Sequence, residues 1–168
     1  MASSFSVITF SILVALLQSH FLIVSPCMSC ISPWTSFGNH CYLLVTDEKT
    51  FDEAEQNCQS LSRLGRPSHL ASIMSQEDSD FLLLLIKSVY GESGMATWFG
   101  FRKDTSSGSP TWRFIDDSSS QGYTNWHTGQ PSGDGPCAEI HGSGGTILWN
   151  DLPCNSLRRS VCKITARF

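Results

Sequence analysis

Three groups of residues in this chain have types and spacings that invite chemistry. Asp116-Asp117 is a pair of adjacent carboxylates, the raw material of acid/base catalysis. Gly142-Ser143-Gly144-Gly145, with His141 just before it, pairs a hydroxyl nucleophile with a base. The third group is the segment 116 to 136 with the residues after Trp149, rich in Asp, Asn, Gln and Ser oxygens. Calcium wants that mixture: six to eight oxygen ligands drawn from carboxylates and neutral groups. The first two groups fail on context. Adjacent acids in a Ser-rich turn read as solvated surface. Ser143 lacks the strand-to-helix elbow that exposes a nucleophile, and His141 is too close in sequence to act as its base. No catalytic residue is assigned, and no enzyme is expected.

The seven cysteines, 27, 30, 41, 58, 137, 154 and 162, are the next chemical feature. A zinc site would want repeated tight pairs, and only Cys27-Met28-Ser29-Cys30 has that spacing. In a short exported chain the set reads as a disulfide framework. Export is the expectation because no charged side chain precedes Asp47, and apolar runs over Phe5–Leu17 and Phe21–Val24 lead to small residues. Residues 1–26 are read as a signal peptide, cut somewhere between 25 and 29, with a secreted, extracellular domain over 30–164. A membrane anchor would want a longer unbroken span with flanking Lys or Arg. The odd count leaves Cys27 over, and if processing retains it a homodimer bridged through Cys27 is expected. Net charge is −4 with no basic run, so nucleic acid has nothing to bind.

These groups need elements to position them. Thr50-Phe51-Asp52-Glu53 is a capping box opening a helix to about Leu61. A second box, Ser75-Gln76-Glu77-Asp78, opens a helix through Leu82–Ile86 to about Tyr90, where Gly91 ends it. Short strands follow at Thr97–Phe101, Thr111–Phe114, Ala138–Ile140, Ile147–Trp149 and Ser160–Ile164. Residues 116–136, dense in Asp, Ser, Gly and Pro, read as a long ordered loop, and loops of that length are usually functional. Helices followed by strands make an α+β pattern. Trp34, Trp98, Trp112, Trp126 and Trp149 are expected in the core.

In family order, Trp34, Cys41-Tyr42, Phe51-Asp52-Glu53-Ala54 with Cys58, His69-Leu70-Ala71-Ser72-Ile73 and Trp98-Phe99-Gly100-Phe101 are followed by Gln130-Pro131-Ser132. Cys137, Trp149-Asn150-Asp151, Cys154 and Val161-Cys162-Lys163 complete the set. Together they resemble the C-type lectin domain over residues 30–164, and secreted invertebrate humoral lectins in particular. The resemblance implies a C-type lectin-like α+β fold of two helices, short antiparallel strands and a long ordered loop. It implies three disulfides, Cys30–Cys41, Cys58–Cys162 and Cys137–Cys154. By chain entropy the second, closing 104 residues, contributes about 4.7 kcal/mol, and the third about 3.

The resemblance also implies a site. Gln130, Ser132, Asp134, Asn150 and Asp151 would ring one Ca²⁺ and hydrogen-bond two adjacent sugar hydroxyls, and Pro131 would be a cis proline turning its neighbours inward. Family mannose readers carry Glu-Pro-Asn and galactose readers Gln-Pro-Asp, so Gln130-Pro131-Ser132 departs from both. Gln130 donates as well as accepts, which leans the site to galactose and N-acetylgalactosamine. Ser132 leaves just two carboxylates, so affinity should be weak, on the order of 10⁻⁴ to 10⁻³ M. An auxiliary calcium site is not expected near Asp104, which is followed by Ser and Gly. The implied function is a secreted calcium-dependent lectin in innate recognition or agglutination. The alternative is a calcium-independent domain of this fold that binds protein, ice or mineral.

Overall fold

The computed structural model describes residues 30–91, 95–106, 108–119, 122–143 and 145–166. The expected signal peptide, with Cys27 and its inter-chain bridge, lies outside these residues. Among them are two helices and eight strands: β1 (Thr35–Phe37), β2 (His40–Lys49), α1 (Phe51–Ser60), β3 (Ser68–Leu70), α2 (Gln76–Tyr90), β4 (Thr97–Asp104), β5 (Thr111–Phe114), β6 (Cys137–Ser143), β7 (Thr146–Leu152) and β8 (Arg158–Thr165).

Local chemistry explains the helix limits. The Thr50 hydroxyl accepts from the Glu53 N–H while the Glu53 carboxylate accepts from the Thr50 N–H, closing the capping box. At α2 the Ser75 hydroxyl caps Asp78, but the Asp78 carboxylate reaches back one residue further, to the Met74 N–H. Gly91 ends α2 at φ 66°, a conformation that favours glycine. Leu82 and Ile86 are fully buried on the inner face of α2, whereas Leu84 points outward.

The strands form one sheet in the order β1-β2-β8-β4-β6-β7, with β3 also on β8 and β5 also on β4. The pairing is antiparallel except β4 with β8, which is parallel, so the sheet is mixed. Three strands, β1, β2 and β3, fall where the sequence pattern predicts none. β1 and β2 make a hairpin in which Phe37 pairs with His40 across Gly38-Asn39, Gly38 at φ 52°.

The core has an aromatic heart in which Phe99, Phe101, Phe114, Trp149 and Ile140 pack together under α2. A second cluster joins Phe51, Ala54, Leu70 and Trp98 around the Cys58–Cys162 bridge. Trp98 and Trp149 are fully buried, but Trp34, Trp112 and Trp126 are only half-buried, their rings lying against the core edge. The three disulfides pair Cys30–Cys41, Cys58–Cys162 and Cys137–Cys154.

The Asp116-Asp117 turn corrects the solvated reading for one of its members. Asp117 is exposed, but Asp116 folds inward, 3.3 Å from the buried Lys163 ammonium, and accepts from the Ser72 hydroxyl and the Ser118 N–H. Burial alone would raise the Asp116 carboxyl; Lys163 and these donors outweigh it and hold the group below its usual range.

Candidate functional site

Among the described residues no strand lies between Phe114 and Cys137, yet the second half of this stretch is held firmly against β7. Trp149 donates its N–H to the Asn125 carbonyl at 2.8 Å, and the His127 N–H donates to the Trp149 carbonyl at 2.9 Å. The Asn125 side-chain amide bonds the Ile147 carbonyl, and the Gln130 N–H closes a turn on the His127 carbonyl. The loop thus enters the site region as an extension of the sheet edge. The Gln130–Pro131 peptide bond is cis.

From there residues 130–135 wrap around one carboxylate. Asp151, 1% exposed on β7, accepts from the N–H groups of Ser132 at 2.7 Å, Gly133 at 2.9 Å and Gly135 at 3.5 Å. The Ser132 hydroxyl adds a contact at 3.2 Å to Asp151 and lies 2.7 Å from the Asp134 carboxylate. Gln130 turns its carbonyl oxygen to the Ser132 N–H at 2.7 Å. Burial works against ionisation of Asp151, but the amide donors prevail and its carboxyl sits below the usual range. Gly135 permits the close approach, because a Cβ there would fall 2.0 Å from the Leu152 carbonyl.

Four of the five expected ligands, Gln130, Ser132, Asp134 and Asp151, are therefore joined by direct contacts. Asn150 is not in that network. Its side-chain amide donates instead to Glu139, directly opposite in the β6–β7 ladder, at 3.1 Å. Glu139 is 3% exposed and its other oxygen accepts from the Arg158 guanidinium. Sequence reasoning missed Glu139 and Arg158. A signal was available, since an acid alternating with Ala138 and Ile140 in a strand must face either solvent or a partner. The rings of His127 and His141 lie 6.3 Å apart edge to face, with His141 Nδ1 3.9 Å from Glu139. Asp104 bonds Ser106 and Arg113. No helix among the described residues is long and apolar enough to cross a membrane.

The donor set is oxygen alone, which suits a hard cation. Neighbouring ligands on a calcium ion at its usual bond length stand roughly 3 Å apart. The Ser132 hydroxyl, at 2.7 Å from Asp134 and 3.2 Å from Asp151, already has that spacing.

Comparison with known proteins bears on the family and the fold. The lectin C-type domain model matches residues 47–164. An alpha-N-acetylgalactosamine-specific lectin of Patiria pectinifera is 35% identical over 135 residues, covering 79% of this chain and 78% of that one. Echinoidin of Heliocidaris crassispina is 33% identical over 146 residues, 80% of this chain and 96% of its own. Among solved structures, the C-type lectin CEL-I from Cucumaria echinata superposes with a TM-score of 0.72 at 25% identity, covering 83% of this chain and 99% of that one. With its fold, its three disulfides and its domain match in agreement, the chain belongs to the C-type lectin domain family.

Proposed function

We propose that this protein is a secreted, calcium-dependent lectin that binds galactose or N-acetylgalactosamine through the loop wrapped on Asp151. The observation that carries the reading is that Ser132 joins Gln130, Asp134 and the Asp151 carboxylate by direct contacts. Gln130, Ser132, Asp134, Asn150 and Asp151 would hold the ion, which would supply two open positions for a vicinal diol. Gln130 and Ser132 can each donate or accept toward the sugar hydroxyls, while Asp134 accepts only. The name of the Patiria relative supports the N-acetylgalactosamine leaning. Its role is recognition or agglutination of glycan-bearing particles, without turnover of the sugar.

In this conformation three N–H groups and one hydroxyl already occupy the lone pairs of Asp151. An entering ion must displace some of them, which favours weak calcium affinity. The same saturation favours a second reading, a calcium-independent domain whose loop is complete without metal and binds a protein or a mineral surface. A glycan array probed with calcium and again with chelator separates the two. Galactose-type binding that disappears with chelator supports the first reading; chelator-resistant binding, or none to any glycan, supports the second.

A further inference from the structure

The β6–β7 ladder places an acid that no ligand set includes, Glu139, directly opposite Asn150. We infer that Glu139 is a positioning residue: it fixes which end of the Asn150 amide meets the ligand. The inference rests on the reading of Asn150 as a calcium and sugar contact.

An asparagine amide presents a donor at one end and an acceptor at the other, and nothing in its shape decides between them. Its partner decides. An ionised carboxylate can only accept, so Asn150 must turn its Nδ2 to Glu139 and leave its carbonyl oxygen outward, where a cation or a sugar hydroxyl can use it. At 3% exposure the Glu139 carboxylate has little water around it, and Arg158 supplies the counter-charge on its other oxygen. Were residue 139 a glutamine, it could donate to the Asn150 carbonyl, and the amide would be free to present NH₂ to the ion. An ion pair that merely joins β6 to the start of β8 predicts no sensitivity of the ligand site to donor polarity at 139.

The test is a polarity swap followed by calcium titration calorimetry on the whole domain, with disulfides and melting temperature checked first. Glu139→Gln should weaken calcium by roughly tenfold or more, since a charge-assisted hydrogen bond is lost. Asn150→Asp alone should also weaken it, because two carboxylates then face each other across the ladder, although an added anion at a ligand position would otherwise tighten binding. The double variant Glu139→Gln with Asn150→Asp restores one donor facing one acceptor, and should recover affinity to within roughly threefold of the parent. Asn150→Asp binding as tightly as the parent or tighter, or a double variant no better than either single, overturns the role of Glu139. A single variant that fails to fold leaves the other single and the double to decide in the same way. A parent domain that takes up no calcium at all overturns instead the function on which the inference rests.

Discussion

The Ser132 N–H donates to the Asp151 carboxylate at 2.7 Å, tying the tip of the candidate loop to β7. The carboxylate proposed to bind the ion is thus the group that shapes the loop, and through it ligand binding would be coupled to loop conformation. Removing Asp151 should disrupt both at once.

Asp151→Ala should lose calcium and sugar binding together. The Gly133 and Gly135 N–H groups lose their acceptor and Ser132 keeps only Gln130, so stability should fall by about 1–3 kcal/mol, while the three disulfides keep the fold. Calorimetry with each ligand and a thermal melt measure the outcome. A folded variant that still binds sugar and still releases it with chelator contradicts the assignment.

Gly135→Ala tests the loop without touching any ligand. Its Cβ would meet Leu152 backbone atoms at 2.0 Å, so the loop must shift off β7. Sugar affinity should drop by roughly tenfold or more with only a small change in melting temperature. Parent-like affinity would show that the wrap on Asp151 does not matter for recognition.

Much of this arrangement is legible in the sequence. The helices were announced by Thr50 and Ser75 and closed by Gly91, because capping is local chemistry read over four residues. β1 and β2 escape the pattern, because Thr35-Ser36 before the Gly38-Asn39 turn are polar and β2 ends in Asp47, Glu48 and Lys49, which mask its alternation. The candidate ligands were named by resemblance. That three amides of their own loop saturate Asp151 was not foreseeable, since backbone donors leave no mark in sequence. Glu139 and Asp116 were missed for a shared reason: each acid is buried by a cation distant in sequence, Arg158 or Lys163.

Lys163→Met should destabilise the fold by about 3 kcal/mol, as it strands Asp116 without its counter-ion. Asp116→Asn added to it should restore part of the loss. Melting temperatures of the single and double variants give the answer. A Lys163→Met protein as stable as the parent would mean the pair contributes nothing.

Acid should weaken the fold in two stages. Burial and the neighbouring Lys163 hold His40 below the ordinary imidazole value, so the unfolded chain takes up a proton first and stability falls as pH drops below about 6.5. Asp116 is also depressed, so its contribution is complete above about pH 4 and is lost as pH falls through its lower folded value. Denaturant melts across pH, repeated with His40→Gln, should remove the upper stage alone. An unchanged profile in that variant would rule out His40 as its source.

Gln130→Glu should move preference away from galactose, because the position loses its donor. With no aromatic following Ser132 in the loop, discrimination in the parent should be roughly tenfold or less. Competition by free galactose and free mannose reads the ratio. A parent that prefers mannose, unchanged by the substitution, would show that this tripeptide does not set specificity.

The central claim, that metal and sugar share the constellation on Asp151, is tested most directly by one calorimetric cycle. Calcium is titrated with and without saturating N-acetylgalactosamine, and the sugar with and without calcium. A shared site predicts a calcium dissociation constant on the order of 10⁻⁴ to 10⁻³ M alone, tightened by the sugar by the same factor that calcium tightens the sugar. It also predicts no sugar heat in chelator. Sugar binding of equal affinity in calcium and in chelator would contradict it.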